Sequence, residues 1–243
     1  MKGIILAGGL GTRLHPLTKI TNKHLLPIYN KPMIYYPIQT LVDAGINDII
    51  LVTGGSNAGD FLRLLGNGKE FGLKRLTYVY QEGEGGIAAA LALTEPYVDN
   101  KKIVVILGDN IIEKDITSGV SKFREKDQGA LIYLKEVEDP ERFGVASIAD
   151  ERIVKIEEKP EKPESNLAVI GIYMYDNKVF DIIRTLEPSK RGELEITDVN
   201  NTYIHKKSLI FDTLDGWWTD AGTFESLYEA NFLVREKFTR NEI

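Results

Sequence analysis

Three short apolar runs limit what this chain can fold into. Gly3-Ile4-Ile5-Leu6-Ala7, Asp48-Ile49-Ile50-Leu51-Val52-Thr53 and Lys102-Ile103-Val104-Val105-Ile106-Leu107-Gly108 carry almost nothing polar between their ends. A strand with one wet face would alternate. These runs have no face to give to water, so both sides must be covered, as in a parallel sheet packed between helices. Residues 75–80 alternate and read as a fourth strand, and residues 33–44, 58–65 and 86–97 read as helices. The βαβα order predicts a doubly wound α/β sheet with ligands at the C-terminal ends of its strands.

The second half is less regular. Residues 130–137, 144–148, 153–156 and 167–175 read as strands, and 179–186, 195–205 and 224–237 as helices. Glu157-Glu158-Lys159-Pro160-Glu161-Lys162-Pro163-Glu164 is the one biased segment, and its prolines predict a turn after a strand. No Gly/Ser-rich linker and no internal repeat divides the chain. We therefore expect one domain over residues 1–243, with a ligand-binding half at 1–110 and an embellished half at 111–243.

Charge narrows the function. The 243 residues include 30 Lys and Arg against 36 Asp and Glu, a net charge of −6. That balance predicts no nucleic-acid footprint. With no cysteine, thiolate metal sites and cysteine nucleophiles are excluded. The first apolar run is too short for a signal-peptide core or a membrane span, so we expect a cytoplasmic protein with no membrane partner. The acids are unevenly spread: none precedes Asp43, while Lys2, Arg13, Lys19, Lys23 and Lys31, with His15 and His24, all do. An anionic ligand would explain this stretch; so would chance clustering on a solvated face.

Ala7-Gly8-Gly9-Leu10-Gly11-Thr12-Arg13-Leu14 follows the first strand. Glycines there let backbone N–H groups approach a phosphate, helped by a helix N-terminus if one follows. A Walker A loop would need a Gly-Lys-Ser/Thr, and a dinucleotide fingerprint would need a third glycine near Leu14. Neither is present. What remains is either a structural turn or a phosphate cradle with a built-in cation, Arg13.

The loop is followed by Pro16-Leu17-Thr18, Asn22-Lys23-His24-Leu25-Leu26-Pro27 and Lys31-Pro32-Met33. Further along come Gln81, Gly85-Gly86, Gly108-Asp109-Asn110, Pro140-Glu141-Arg142-Phe143-Gly144, Glu157-Glu158-Lys159-Pro160 and Trp218-Thr219-Asp220-Ala221-Gly222. In this order the set resembles the sugar-1-phosphate nucleotidylyltransferase family, from Lys2 to about Ala230. Tyr35-Tyr36-Pro37 and Arg191-Gly192-Glu193-Leu194-Glu195-Ile196-Thr197-Asp198 are similar to its branch acting on dTTP and glucose 1-phosphate.

The resemblance implies a Rossmann-like nucleotide-binding fold with a predominantly parallel mixed sheet flanked by helices. It also implies Mg²⁺-assisted formation of dTDP-glucose and pyrophosphate. The implied catalytic residues are Arg13, Lys23, Asp109 and Lys159, with Asp109 and Asp220 holding Mg²⁺. Leu6, Gly8, Gly9, Gly11, Thr12, Arg13, Lys23, Gln81, Gly86 and Asp109 would bind the nucleotide, Gln81 through the imide edge of its base and Gly86 by letting the base lie against backbone. Gly144, Glu158, Lys159, Val169 and Tyr173 would bind the sugar phosphate, although Val169 and Tyr173 also suit plain strand packing. A phosphate monoester with a second pKa of about 6 needs no general base to attack, which fits a chain with so few histidines.

Three departures stand out. Ala89 lies where relatives often carry a polar residue, and Phe143 stands for a tyrosine near the sugar. The sequence ends at Ile243, whereas longer relatives carry a further helical segment that forms a regulatory nucleotide site, so altered feedback control is expected. A homotetramer or homodimer is expected as well. UTP in place of dTTP, and a non-catalytic sensor of nucleotide or sugar phosphate, are the competing readings. Retention of Arg13, Lys23, Asp109, Lys159 and Asp220 argues against the sensor.

Overall fold

The computed structural model describes residues 1–241; Ile243, on which the expectation about regulation turns, lies outside them. In chain order the strands are β1 (Lys2–Ala7), β2 (Pro27–Ile28), β3 (Lys31–Pro32), β4 (Asp48–Gly54), β5 (Arg75–Gln81), β6 (Ile103–Leu107), β7 (Asn110–Ile112), β8 (Ala130–Glu136), β9 (Gly144–Ala149), β10 (Arg152–Glu158), β11 (Leu167–Tyr175), β12 (Leu209–Thr213) and β13 (Trp218–Asp220). The α-helices are α1 (Tyr35–Asp43), α2 (Ala58–Leu65), α3 (Gly86–Ala92), α4 (Thr117–Glu125), α5 (Val179–Ile183), α6 (Ile196–His205) and α7 (Phe224–Asn241).

One nine-stranded sheet runs β10-β9-β11-β6-β1-β4-β5, with β8 and β12 added beyond β11. Strands β6, β1, β4 and β5 are mutually parallel, as wholly apolar strands require. The long β11 pairs antiparallel with β6, β8 and β9 and welds the two halves into one sheet. Alternate residues of β1 serve opposite faces. Ile4 and Leu6 pack with Leu91 of α3, Phe180 of α5 and Val199 of α6. Ile5 and Ala7 pack with Leu41 of α1, Phe61 of α2 and Phe123 of α4. A smaller cluster under α7 joins Ile28 and Met33 to Ile111, Ala221 and Ala230. Among the described residues no helix is long and apolar enough to cross a membrane.

Several expectations needed correction. The helix expected over 86–97 ends at Ala92, and a separate 3-10 turn covers Glu95–Tyr97. Pro96 biases its predecessor away from helix, and the Thr94 hydroxyl donates back to the Leu91 carbonyl at 2.7 Å. The helix expected over 179–186 stops at Ile183. No α-helix follows the Gly-rich loop; Thr12–Leu14 make a single 3-10 turn, so no helix dipole acts there.

Chain order carries the site. From β1 the strands step outward through β4 to β5, and the chain then returns to place β6 on the other side of β1. Crevices for ligands open at such reversals, beyond the C-terminal ends of the strands.

Candidate active site

A cleft of about 400 Å³ opens at that edge. Its walls include Leu6, Gly8, Gly9, Arg13, Lys23, Gln81, Gly86 and Asp109 from the first half, and Gly144, Glu158, Lys159, Val169, Tyr173 and Asp220 from the second. Of the residues to which the resemblance gave a catalytic, binding or metal role, Gly11 and Thr12 alone are not among the lining residues. Gly11 instead shapes the loop. Its φ of +66° suits glycine, and a side chain there would crowd Lys23 and Thr18.

Gly8 makes room for Gln81. A Cβ on Gly8 would collide with Gln81 Oε1, so the missing side chain lets the Gln81 amide lie buried at the end of β5, on the cleft wall. Gly86 lines the cleft, and its lack of a side chain also serves the packing behind it. The space of its absent side chain is taken by the Leu194 carbonyl, 2.8 Å from where a Cβ would stand. Leu194 N–H donates to the Gly85 carbonyl at 2.9 Å. Residues 191–195 are thereby docked onto the start of α3, closing one side of the cleft.

Asp109 follows β6, and Asp220 ends β13. The two-stranded ribbon of β7 and β13 brings them together: Asp220 is the cross-strand partner of Asn110, and Ala221 N–H donates to the Asp109 carbonyl at 2.9 Å. The carboxyls behave differently. Burial pushes Asp109 up, but the Lys23 ammonium bonded to its Oδ2 and the Asn110 amide on its Oδ1 hold it well below the usual carboxylate range. Asp220 is pushed up to about 6, by burial first and then by the Asp109 charge, against the pull of Arg142 and Arg13. Arg142 meets both Asp220 oxygens, at 3.3 and 3.4 Å.

Asp109 thus stays ionised, while its charge helps to raise the proton affinity of Asp220, and a cation placed between the two would favour both as carboxylates. Among the described residues no group of three or more His, Cys, Asp or Glu could hold a metal. Asp109 and Asp220 in one cleft suit a hard cation that takes one or two carboxylates and completes its shell with phosphate oxygens and water, the habit of Mg²⁺.

Also on the cleft wall, Glu158 closes β10. Its Oε2 accepts from Thr197 Oγ1 at 2.6 Å and its Oε1 from Arg191 at 3.3 Å. Lys159 has φ +46°, a left-handed conformation costly for a side chain of this kind. Its N–H donates to the Phe143 carbonyl at 2.9 Å, and this bond helps to hold it there against the bias of the following Pro160 toward extended backbone. Tyr173 stacks on Tyr175 with ring centroids 6.1 Å apart, and burial pushes its hydroxyl pKa up, so it stays neutral. It both packs and lines the cleft, as does Val169.

The acid-free stretch divides in the structure. Arg13 and Lys23 face the cleft, but Lys2 is buried at the opposite edge of the sheet against Asp99, Asp48 and the Tyr97 carbonyl. His24 contributes no charge. Burial, then the neighbouring Lys23, pushes it down to about 3, and its Nδ1 lies 2.7 Å from Asn22 Oδ1.

The sequence also gave no individual role to Asn110, Arg142, Arg191 or Trp218, all of which line the cleft. Asn110 Oδ1 accepts from Trp218 Nε1 at 2.7 Å and from Gly171 N–H at 3.0 Å. Phe143, standing for the expected tyrosine, packs edge-on against Trp218 at 5.3 Å and beneath the Arg142 guanidinium at 5.1 Å. These residues lay inside the quoted motifs, but their partners lie up to 108 positions away, and local patterns carry no such information.

The nucleotidyl transferase family model matches residues 2–237. A glucose-1-phosphate thymidylyltransferase of Neisseria meningitidis serogroup A is 44% identical over 239 residues, covering 97% of this chain and 83% of the relative. The enzyme of that name from Mycolicibacterium smegmatis is also 44% identical, covering 97% and 82%. Among solved structures, a Bacillus anthracis protein described as a candidate glucose-1-phosphate thymidylyltransferase, in complex with a sucrose, superposes with a TM-score of 0.93. It is 54% identical and covers 97% of this chain and 95% of its own.

Proposed function

This chain belongs to the nucleotidyl transferase family, and we propose that it is an enzyme transferring a thymidylyl group from dTTP to α-D-glucose 1-phosphate, giving dTDP-glucose and pyrophosphate. The observation that carries this reading is the composition of the cleft. Arg13, Lys23, Asp109 and Asp220 line the same cleft as Glu158 and Lys159, so phosphate-neutralising cations, a carboxylate pair and a hydroxyl acceptor share one cavity.

The sugar phosphate is mostly dianionic near neutrality, since its second pKa is about 6. One of its oxygens attacks the α-phosphorus. The bond from that phosphorus to the bridging oxygen breaks, and pyrophosphate leaves with the electron pair. No proton has to be removed, so the protein's work is alignment and charge neutralisation. Lys159 holds the attacking phosphate, its ammonium directed by the strained backbone beneath it. Glu158 accepts hydrogen bonds from sugar hydroxyls, and main-chain groups of Gly144 and Val169 bracket the ring. Arg13 neutralises the departing pyrophosphate. Lys23 has three donors; one serves Asp109, and the others are free for β- and γ-phosphate oxygens. Gln81 offers a donor and an acceptor to the base. Asp109 and Asp220 would hold Mg²⁺, which supplies charge stabilisation at the phosphoryl oxygens when bound.

UTP differs from dTTP by one methyl, worth about 1–3 kcal/mol in an apolar pocket, so the preference for dTTP is one of degree. The similarity to the thymidylyltransferases, at 44% identity, against 29% for a solved UDP-glucose pyrophosphorylase, favours dTTP. The test is pyrophosphate release from a panel of nucleoside triphosphates against several hexose 1-phosphates with Mg²⁺. The dTTP and glucose 1-phosphate pair should give the highest kcat/KM. No release from any pair would remove the reading.

A further inference from the structure

The Gly-rich loop already carries an anion. The Leu10 N–H donates to Glu84 Oε1 at 3.1 Å, across 74 residues of sequence. Glu84 lines the cleft beside Gly8, Gly9 and Arg13. Leu10 stands between Gly9, whose missing side chain faces open space, and Gly11, in the left-handed region at φ +66°. Turns of this kind can direct successive N–H groups into one concavity and attract anions. The carboxylate sits where the proposed function needs phosphate oxygens.

Glu84 is also free to leave. Gly83 has φ +69° and Gly86 φ +88°, and Gly85 lies between Glu84 and α3. The exposed Glu84 side chain can swing off the loop by its own rotamers while the Gly85 carbonyl stays bonded to the Leu194 N–H, so neither Gln81 nor the first turn of α3 is dragged with it.

Resting on the triphosphate-binding reading of the loop, we propose that Glu84 is an intramolecular competitor for nucleotide phosphate. It holds the Leu10 N–H before nucleotide binds, withdraws as the triphosphate arrives and returns as the charged products depart. A carboxylate is acceptor-only, so it cannot share that N–H with a phosphate oxygen, and the two negative charges repel. Glu84 touches no reacting atom in this scheme; it sets how tightly the loop holds an anion. The contact is exposed, so its effect is modest and screened by salt.

Calorimetric titration of dTTP, thymidine and inorganic tripolyphosphate into the parent protein, Glu84→Gln and Glu84→Ala tests this. At low salt Glu84→Ala should bind dTTP and tripolyphosphate about two- to fivefold more tightly. Thymidine affinity should not change, and the gain should shrink in high salt. Glu84→Gln, which keeps the shape and loses the charge, should move the same way by a smaller factor. If the parent binds dTTP and Glu84→Ala binds it equally or more weakly, the competitor is overturned and the nucleotide site stands. Loss of thymidine affinity in Glu84→Ala would mean that the carboxylate reads the nucleoside, and overturns the proposal as well. A parent protein that binds neither dTTP nor tripolyphosphate overturns this inference together with the function on which it rests.

Discussion

The two edges of the central sheet carry the same pieces put to opposite uses. At the N-terminal edge of β1, Lys2 is 2% exposed and sits between Asp99 at 2.7 Å and Asp48 at 3.6 Å, with a third bond to the Tyr97 carbonyl. The ammonium is matched there by two carboxylates and a carbonyl, with no charged side chain among the described residues left over on the cation's side. At the C-terminal edge, Lys23 is bonded to Asp109, but Asp220 next to it is protonated more readily than an ordinary aspartate, and Arg13 lies open along the cleft. Lys23 pairs with Asp109 and Arg142 with Asp220, which leaves Arg13 over as a cation. A lysine buried against an aspartate is therefore no mark of function by itself; what matters is whether the charges around it are left over for something else.

The largest break in this comparison should come from Asp109→Asn. It removes charge only where charge is in use, so turnover should fall about 10²–10³-fold. Pyrophosphate release measures that, and a melting curve close to the parent's would keep the loss chemical rather than structural.

Next in size is an acid-sensitivity carried by His24. Its pKa is pushed down to about 3, whereas an unfolded histidine titrates near 6.5. Between those values the unfolded chain binds the extra proton, so folding stability falls as pH drops below about 6.5. The limiting slope is about 1.4 kcal/mol per pH unit. Denaturant titrations from pH 7 to pH 4 should show a shallower decline for His24→Gln, whose amide can still reach Asn22. Equal slopes would contradict the neutral assignment.

Lys2→Met should do the reverse of Asp109→Asn. It strands the Tyr97 carbonyl and removes the cation facing Asp48 Oδ2, in a carboxylate whose Oδ1 already lacks a partner. Differential scanning should show melting several degrees lower, with kcat and KM unchanged.

The smallest effect concerns the backbone. Both edges hold residues at positive φ, but at the closed edge they are Asp99 and Asn100, types that tolerate it. At the open edge it is Lys159. Lys159→Gly should therefore lose turnover while gaining about 1 kcal/mol of stability at most. A clear destabilisation in denaturant melts would show that the lysine stem, rather than its conformation, is what the fold uses.

Legibility in the sequence follows the same division. The buried parallel strands could be read because burial on both faces leaves an unbroken apolar string, and Asp109 could be read as a cleft residue because it follows one. Helix α4 was missed: in Thr117–Glu125 only Gly119, Val120 and Phe123 are buried, and the rest is polar. Strand β12 was missed because it is an edge strand with mostly half-exposed residues. The ribbon of β7 and β13 has three residues on each side, too short for any periodicity. The candidate site shows the same limit. Arg13, Lys23, Gln81 and Lys159 stood in motifs whose chemistry is local. The pairing of Arg142 with Asp220 exists only once residues 78 positions apart are folded together.

That short ribbon has a consequence for the order in which the protein matures. The strands that build the nucleotide side of the cleft are all made by residue 107, and they could assemble early during synthesis. Asp220 is brought to Asp109 only when β13 pairs with β7, more than a hundred residues later. A nascent chain would thus acquire a place for a nucleotide well before it acquired the second carboxylate, and catalytic competence would be among the last properties to arrive.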